Sequence, residues 1–335
     1  MLLTPWRGRP AWAAAIAACF LIASPALLPA RAQDQELKVT QADGVLTVLT
    51  GDQPTLRYRY EGAPFKPYAK ELCTRHGVNV LLDAPPEQAH HHGLMFGLTV
   101  DGVNFWQEGE RAGKEVHRAL ENVLPPPDRR ADTATFTELL DWLTPDGKLL
   151  LNEQRTITVH DDGFARIGRV VLVTWKTRLS APPGIAEVKL SGSHDCGLGL
   201  RFVRALERDG KFVYARRFPG DVVRGDERLT PDRWCAFAGS VDGKNVTVAI
   251  FDYPHNPRAP ATWFTMKEPL AYLSATPGLG KEPLVLKADA PLELRYGIAL
   301  WDEPVVAEQI ERVYTLWVDR FAGPPATTLP SAPRK

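Results

Sequence analysis

The sequence predicts an all-β fold, a large antiparallel β-sandwich with a C-terminal α-helix. Three observations carry this prediction. Short runs of β-branched and aromatic residues recur along the chain, Asp-Gly and Pro-Gly turns separate them, and helical spacing of apolar residues occurs near the end. The 335 residues include 29 Pro and 26 Gly, which is typical of a chain with many short strands and turns.

Runs with strand composition follow one another along the chain: residues 37–41, 45–49, 55–60, 78–82, 93–100, 114–121, 133–143, 148–159, 164–177, 186–190, 198–203, 233–238, 245–252 and 291–301. The Asp43-Gly44 turn joins the first two runs as a hairpin, and a turn ending at Gly147 joins two long ones. Residues 164–177 contain an almost continuous apolar stretch, which predicts a strand buried on both faces. The runs predict one β-sandwich domain over residues 33–335.

Residues 304–321 have the spacing of an amphipathic helix. Proline at position 304 suits its first turn, since the N–H that proline lacks would be unpaired there. We expect one apolar face to pack on the sheet, and residues 323–335 to form a flexible tail. The residues of that face are Val306, Ile310, Val313 and Trp317.

Residues 1–32 predict a secretory signal peptide. Two arginines precede an apolar run over residues 11–28, and Ala30-Arg31-Ala32 presents small residues where signal peptidase requires them. Cleavage there predicts a periplasmic mature chain, residues 33–335, with no further membrane span. Two alternatives stay open: a membrane anchor, for which the run is short of about 20 apolar residues, and a lipoprotein that begins at Cys19.

Three cysteines remain after cleavage, Cys73, Cys196 and Cys235. They have no CxxC spacing, and an odd number allows at most one disulfide bond. We interpret them as small buried apolar residues.

The charge of the chain excludes several classes of protein. Lys and Arg number 40, and Asp and Glu also number 40, so there is no basic footprint for nucleic acid. No GxGxxG follows a strand, and no nucleophile elbow or phosphate-binding loop occurs. The composition leaves an enzyme or a binding module that acts on a small uncharged molecule.

The most unusual local feature is the histidine run His90, His91 and His92, which lies between a proline loop and a predicted strand. Imidazole titrates near neutral pH and therefore suits acid/base catalysis. We predict that His90 and His91, together with His117, are catalytic and that His92 contacts substrate. On a strand His90 and His92 would share a face, so a metal pair is an alternative, although no third ligand is evident. A second alternative is that one imidazole ring is buried in the core and the other two face solvent.

A second polar cluster lies in a loop made rigid by two prolines, residues 252–258. It presents a carboxylate, an imidazole, an amide and a guanidinium, which are the groups that bind sugar hydroxyls, and tryptophans could stack on a sugar ring. The alternative is a turn that caps its own backbone. The predicted substrate-binding residues here are Asp252, His255, Asn256, Arg258, Trp234 and Trp263.

These motifs resemble those of a bacterial family of largely unknown function called PmoA-like, over residues 45–320. The matching stretches are Ala89–Phe96, Asp101–Trp106, Gly113–Arg118, Leu151–Thr156, Gly197–Arg201, Arg233–Cys235 and Ala249–Arg258. Two positions depart from the family pattern: His92 replaces its arginine, and Ala89 replaces its proline. The resemblance implies a β-sandwich similar to the galactose-mutarotase supersandwich, and a place in sugar catabolism.

Two functions of different classes follow. The leading hypothesis is an exported enzyme that acts on a sugar or an oxidised sugar by epimerisation, hydrolysis or elimination. The alternative is a glycan-binding sandwich without turnover. A metal-dependent hydrolase or oxygenase that uses His90 and His92 is a third, less favoured hypothesis. We predict a small-molecule carbohydrate as partner, and neither a metal nor a cofactor.

Overall fold

The computed structural model describes residues 36–126, 129, 131–161, 170–216 and 218–323. The predicted signal peptide, the lipoprotein alternative at Cys19 and the predicted tail beyond Gly323 lie outside these residues. The first part of the predicted strand 164–177 also lies outside them.

The strands of the described chain are β1 Leu37–Ala42, β2 Val45–Thr50, β3 Gln53–Arg59, β4 Tyr68–Leu72, β5 Leu94–Gly97, β6 Thr99–Val100, β7 Val103–Asn104, β8 Lys114–Leu124, β9 Thr133–Leu143, β10 Leu149–His160, β11 Val171–Ser180, β12 Glu187–Ser191, β13 Gly197–Arg201, β14 Lys211–Tyr214, β15 Asp221–Val222, β16 Arg228–Pro231, β17 Trp234–Val241, β18 Lys244–Asp252, β19 Thr262–Met266, β20 Tyr272–Thr276, β21 Leu284–Lys287 and β22 Leu292–Trp301. The helices are α1 Ala205–Asp209 and α2 Ala307–Arg320, and Pro86–Gln88 form a single 3-10 turn.

Two large antiparallel sheets form the sandwich. The ten-stranded sheet has the order β1-β2-β3-β4-β5-β13-β20-β19-β16-β15, and the eight-stranded sheet has the order β14-β17-β18-β22-β11-β10-β9-β8. A third, separate sheet has four strands in the order β21-β12-β6-β7. The predicted fold class, an antiparallel β-sandwich with a C-terminal helix, is confirmed. Within the described ranges no helix is long and apolar enough to span a membrane.

The main core fills the space between the two large sheets. Phe96 of β5 packs on Trp142 of β9, with ring centroids 6.2 Å apart, and Tyr58 of β3 packs on Phe136 of β9 at 5.1 Å. Because alternate side chains of a strand face opposite sides, these contacts identify the inner face of each sheet.

Strand β11 is buried on both faces, as its apolar stretch predicts. Val171 and Val173 belong to the main core, whereas Leu172 belongs to a second cluster beneath α2. In that cluster Trp317 of α2 lies over Gly297 of β22, where a Cβ atom would come within 2.8 Å of the indole. A glycine is therefore required for the helix to approach the sheet.

Helix α2 begins three residues later than the sequence predicts. Ile310, Val313 and Trp317 are buried as expected, but Val306 is 59% exposed. The prediction for Val306 is wrong because this residue precedes the first helical turn, so helical spacing does not apply to it.

Residues 78–82 do not form the predicted strand; they make only isolated bridges, Cys73 with Asn79 and Leu81 with Phe202. Several strands were not predicted, because their residues lack clear alternation: β4, β7, β14, β15, β16, β19, β20 and β21. The three described cysteines are unpaired and buried, as predicted.

Candidate functional site

The candidate site lies on the outer face of the ten-stranded sheet, where β5, β13 and β20 are neighbours. Phe96 faces the inner core, so Met95 faces outward. Gly199 is paired with Met95, and Arg201 is paired with Tyr272. By the same alternation Gly199, Arg201 and Tyr272 lie on the outer face.

The histidine run lies in the turn that leads into β5. The His91 N–H donates to the Gln88 carbonyl at 2.9 Å, and the Ala84 N–H donates to the His91 carbonyl at 3.0 Å. The run therefore precedes the strand, and the expected alternation of His90 and His92 on a strand is wrong. His90 is half-buried, whereas His91 and His92 are both buried.

His91 packs within a cluster of aromatic rings. Its ring centroid lies 4.4 Å from that of His90, 5.4 Å from that of Tyr272 and 6.5 Å from that of Trp106. Burial lowers the pKa of His91 to about 3, and the positive charge of Arg201 adds to the effect. The imidazole is therefore neutral at neutral pH.

Several buried polar atoms of this cluster have no hydrogen-bond partner among the described residues. They are His91 Nδ1, Trp106 Nε1, Arg201 Nε and the Tyr272 hydroxyl. The Tyr272 hydroxyl lies over Gly199, where any Cβ atom would overlap it and would come within 2.8 Å of the Trp106 ring. Glycine at 199 therefore makes room for the two rings. Burial raises the pKa of Tyr272 well above its ordinary value, so its hydroxyl is protonated.

His92 joins two carboxylates beneath the run. Its Nδ1 lies 3.1 Å from Asp83 Oδ1, its Nε2 lies 2.8 Å from Glu108 Oε1, and its ring stacks on Tyr68 at 4.0 Å. Burial disfavours the charged ring, but the bonds to Asp83 and Glu108 outweigh burial and raise the pKa of His92. Both ring nitrogens are thus occupied within the protein.

Lys66 connects this carboxylate pair to the aromatic cluster. Its fully buried Nζ donates to Glu108 Oε1 at 3.0 Å and to the Trp106 carbonyl at 3.1 Å. Burial disfavours the charged form of Glu108, but the contacts with His92 and Lys66 prevail and lower the pKa of Glu108. The position of Trp106 is therefore tied to an ion pair.

His90 is the accessible imidazole of the run. Burial and the nearby Lys66 charge lower its pKa, while the negative charges of Glu108 and Asp195 oppose that shift. His90 is thus neutral near pH 7 and lies within electrostatic range of two carboxylates. A neutral, partly exposed imidazole can accept a proton from a bound molecule.

Two cavities lie near residues that neighbour His90 or its carboxylates. One, of about 210 Å³, is lined in part by Ser193, His194 and Lys281. The other, of about 390 Å³, is lined in part by Glu108, whose charge acts on His90.

The structure does not bring His117 to the histidine run by any contact among the described residues. It lies in β8 of the other sheet, where its Nδ1 is 2.8 Å from Oε1 of the buried Glu138. Glu138 also accepts a hydrogen bond from Tyr58. The catalytic role of His117 stays a prediction.

Glu138 belongs to a buried charged network that the sequence analysis missed. Arg155, fully buried, donates to Glu153 and Glu115 at 2.8 Å and to the Tyr58 hydroxyl at 3.0 Å. Burial raises the pKa of Glu115 to about 8, partly offset by Arg155. These carboxylates lie within the core and link the two sheets.

The polar loop 252–258 uses its side chains internally. The Asp252 carboxylate accepts from Asn256 Nδ2 and from the Ala261 N–H, both at 2.7 Å, and burial raises the pKa of Asp252 to about 7. Arg258 donates to the Glu282 and Pro283 carbonyls at 2.6 and 3.0 Å. This geometry matches the alternative of a turn that caps its own backbone.

The other three predicted substrate-binding residues of this group are two buried tryptophans and one exposed histidine. Trp263 is fully buried and donates to the Asp232 carbonyl at 2.7 Å, and Trp234 is buried and donates to Glu311 of α2 at 2.7 Å. His255 is exposed and lies 5.2 Å from the Tyr253 ring. Substrate binding by the loop and its tryptophans stays a prediction.

Sequence reasoning missed Lys66, Arg201 and Tyr272 as site residues. Trp106 and Arg201 fall within the stretches that resemble the PmoA-like family, so that resemblance could have indicated both. Tyr272 reaches the cluster only through pairing of distant strands. Among the residues that the structure describes, no group of three or more His, Cys, Asp or Glu side chains could hold a metal ion.

Fold and site together define an antiparallel β-sandwich protein with a histidine-centred polar cluster that is buried except for the half-buried His90. The chain belongs to DUF6807, a family of unknown function, whose family model matches residues 45–315. No curated protein matches the chain.

Among solved structures the chain is similar to the GH36 α-galactosidase AgaB from Geobacillus stearothermophilus, with a TM-score of 0.43 and 9% identity over 81% of this chain and 40% of that one. It is also similar to the α-galactosidase from Lactobacillus brevis, with a TM-score of 0.39 and 8% identity over 79% and 39%. A glycoside hydrolase family 97 enzyme from Pseudoalteromonas sp. strain K8 gives 0.33 and 8% over 80% and 34%. The chain thus spans two fifths or less of the length of these enzymes.

Proposed function

We propose that this protein is an exported carbohydrate-active enzyme whose site is centred on His90 and His91. The observation that carries the proposal is the placement of a half-buried, neutral His90 against the buried cluster of His91, Trp106 and Tyr272. Such a site offers a proton acceptor beside unpaired polar groups, which is what proton transfer on a polyhydroxylated molecule requires.

His90 takes the acid/base role in this proposal. Its lowered pKa leaves the imidazole free to accept a proton, and Glu108 and Asp195 stabilise the cation that forms. Epimerisation, elimination and hydrolysis of a sugar all need such a step. His92 and Lys66 hold Glu108 in place.

Export and the periplasmic location belong to the same proposal, and they rest on the pattern of residues 1–32. The resemblance to the PmoA-like family also stays a prediction. It supports a role in sugar catabolism, without naming a substrate.

A substrate screen with matched histidine variants tests the proposal. The purified protein is mixed with sugars, sugar acids, keto-sugars and glycosides, and binding is read by thermal shift while turnover is read by loss of substrate. His90→Ala is expected to lower the rate of turnover by about 10²–10⁴. His76→Ala changes a mostly exposed histidine that pairs with Asp302, and it is expected to leave the rate unchanged.

Two outcomes would contradict the proposal that this protein is an enzyme with His90 at its site. Binding without turnover, with His90→Ala lowering only the affinity, would favour the glycan-binding alternative. A His90→Ala variant that matches the wild type in both measurements would place the site elsewhere.

A further inference from the structure

The aromatic cluster concentrates buried polar atoms that have no hydrogen-bond partner within the described ranges. Trp106 and Tyr272 are each 1% exposed, and their ring centroids lie 5.9 Å apart. Arg201, also 1% exposed, is directly opposite Tyr272 in the strand pairing. Its other nitrogens donate to the Phe202 and Ala271 carbonyls and to Glu207, whereas Nε has no partner in the part of the chain that the structure describes.

The chemistry of these atoms determines which ligand they can bind. Trp106 Nε1 and Arg201 Nε are obligatory donors, since neither group has an acceptor lone pair at neutral pH. The protonated Tyr272 hydroxyl can donate as well. A buried donor without a partner costs about 1–3 kcal/mol, so a molecule that presents acceptor oxygens to several of them gains binding energy.

The charges near His91 also favour an acceptor oxygen. Burial has the largest effect on the pKa of His91, and the positive charges of Arg201 and Lys66 lower it further. The same buried cations favour a nearby oxygen that carries or develops negative charge.

We propose that this cluster receives the carboxylate oxygen of an oxidised sugar, so that the substrate class is a sugar acid rather than a neutral glycoside. The inference rests on the proposed carbohydrate function and specifies its substrate. The contrast between the two imidazoles assigns their places: His90 takes the proton, and the atoms around His91 hold the oxygen.

Proton removal by His90 leads to two reactions. His90 removes the proton from the carbon next to the carboxylate, the C–H electron pair forms a carbon–carbon double bond, and the π pair moves onto the oxygen. When the planar intermediate turns its other face towards His90, return of the proton to that face inverts the carbon. Alternatively the oxygen pair re-forms the C=O bond, the carbon–carbon double bond shifts by one carbon, and the leaving group departs with its electron pair and the proton from His90.

Matched sugars test the inference. Binding of D-glucuronate is compared with that of D-glucose, and D-galacturonate with D-galactose, by calorimetry on the purified protein, with acetate as a control for an anion alone. At least one acid is expected to bind about tenfold or more tightly than its neutral partner. Tyr272→Phe is expected to weaken the binding of that acid by about tenfold and to leave the binding of the neutral sugar unchanged.

Tyr253→Phe is the control, since this buried hydroxyl donates to the Gly323 carbonyl in the cluster beneath α2. Equal binding of acids and neutral sugars, or an equal loss for both in Tyr272→Phe, overturns the substrate class and leaves the carbohydrate function standing. Acetate that binds as tightly as the sugar acids also overturns it. Binding of none of these sugars rejects the inference and the proposed function together.

Discussion

The rings of His91 and Tyr272 pack with centroids 5.4 Å apart, although neither His91 Nδ1 nor the Tyr272 hydroxyl has a hydrogen-bond partner among the described residues. Tyr58, equally buried, has its hydroxyl bonded to both Glu138 and Arg155. The two tyrosines therefore differ in what their hydroxyl groups do for the fold. This difference can be measured in the free protein.

Tyr272→Phe is expected to leave the free energy of unfolding unchanged or to raise it slightly, because the variant removes a buried hydroxyl with no partner at hydrogen-bond distance among the described residues. Tyr58→Phe is expected to lower it by about 1–3 kcal/mol, because two buried charged groups each lose a bond. Urea unfolding of both variants at pH 7 makes the comparison. Equal destabilisation would show that the Tyr272 hydroxyl has a structural partner.

Gly199→Ala is expected to destabilise the protein by about 1–3 kcal/mol, because the added Cβ meets the Tyr272 hydroxyl and the Trp106 ring. Combining it with Tyr272→Phe should recover part of this loss, since one of the overlapping atoms is removed. Simple addition of the two effects would show that they are independent.

The stability of the protein is expected to fall at acid pH through His91. Its pKa is lowered from 6.5 to about 3 in the folded state. Between these values the unfolded chain binds more protons, so this contribution is complete above pH 6.5 and is lost as the pH falls towards 3. His160, whose pKa burial lowers to about 4, acts in the same sense.

His91→Asn removes that titration. From pH 7 to pH 5 the wild type is expected to lose about 2 kcal/mol more unfolding free energy than the variant, given about 1.4 kcal/mol per unit of pKa shift. Urea unfolding at the two pH values measures the difference. An identical pH dependence would show that His91 is not buried as a neutral ring.

Arg155→Met is expected to destabilise the protein by about 3–5 kcal/mol, because it leaves Glu115 and Glu153 buried without their cation. Arg118→Met removes the exposed partner of Asp141 and should cost less than about 1 kcal/mol. Thermal unfolding distinguishes the two. A small effect at Arg155 would mean that the carboxylates take up protons and stay buried as neutral groups.

The chain secreted by an expressing bacterium is expected to begin at Gln33, because small residues at positions 30 and 32 suit signal peptidase. Mass spectrometry of the intact protein from the periplasm measures the mature mass. A lipidated first residue at Cys19 would support the lipoprotein alternative, and an uncut chain in the membrane fraction would support an anchor.

Local patterns predicted most of the long strands and the terminal helix. Residues 133–143 form β9 at the predicted bounds, and the turn ending at Gly147 leads into β10. These elements are predictable because alternation, helical spacing and turn chemistry act over a few neighbouring residues. The short strands β15 and β21 were not predicted, since each is stabilised mainly by the strand beside it.

The candidate site was only partly predictable. The sequence by itself determined the strand and turn pattern, the charge balance and the unusual run His90 to His92. The tertiary structure alone decided that β5, β13 and β20 are neighbours, which places Arg201 and Tyr272 beside His91. It also decided that Arg155 is buried among carboxylates while His117 lies apart from the run. The physical reason is that strand pairing and burial depend on which distant surfaces fit together. The spacing of neighbouring residues along the sequence does not determine that fit.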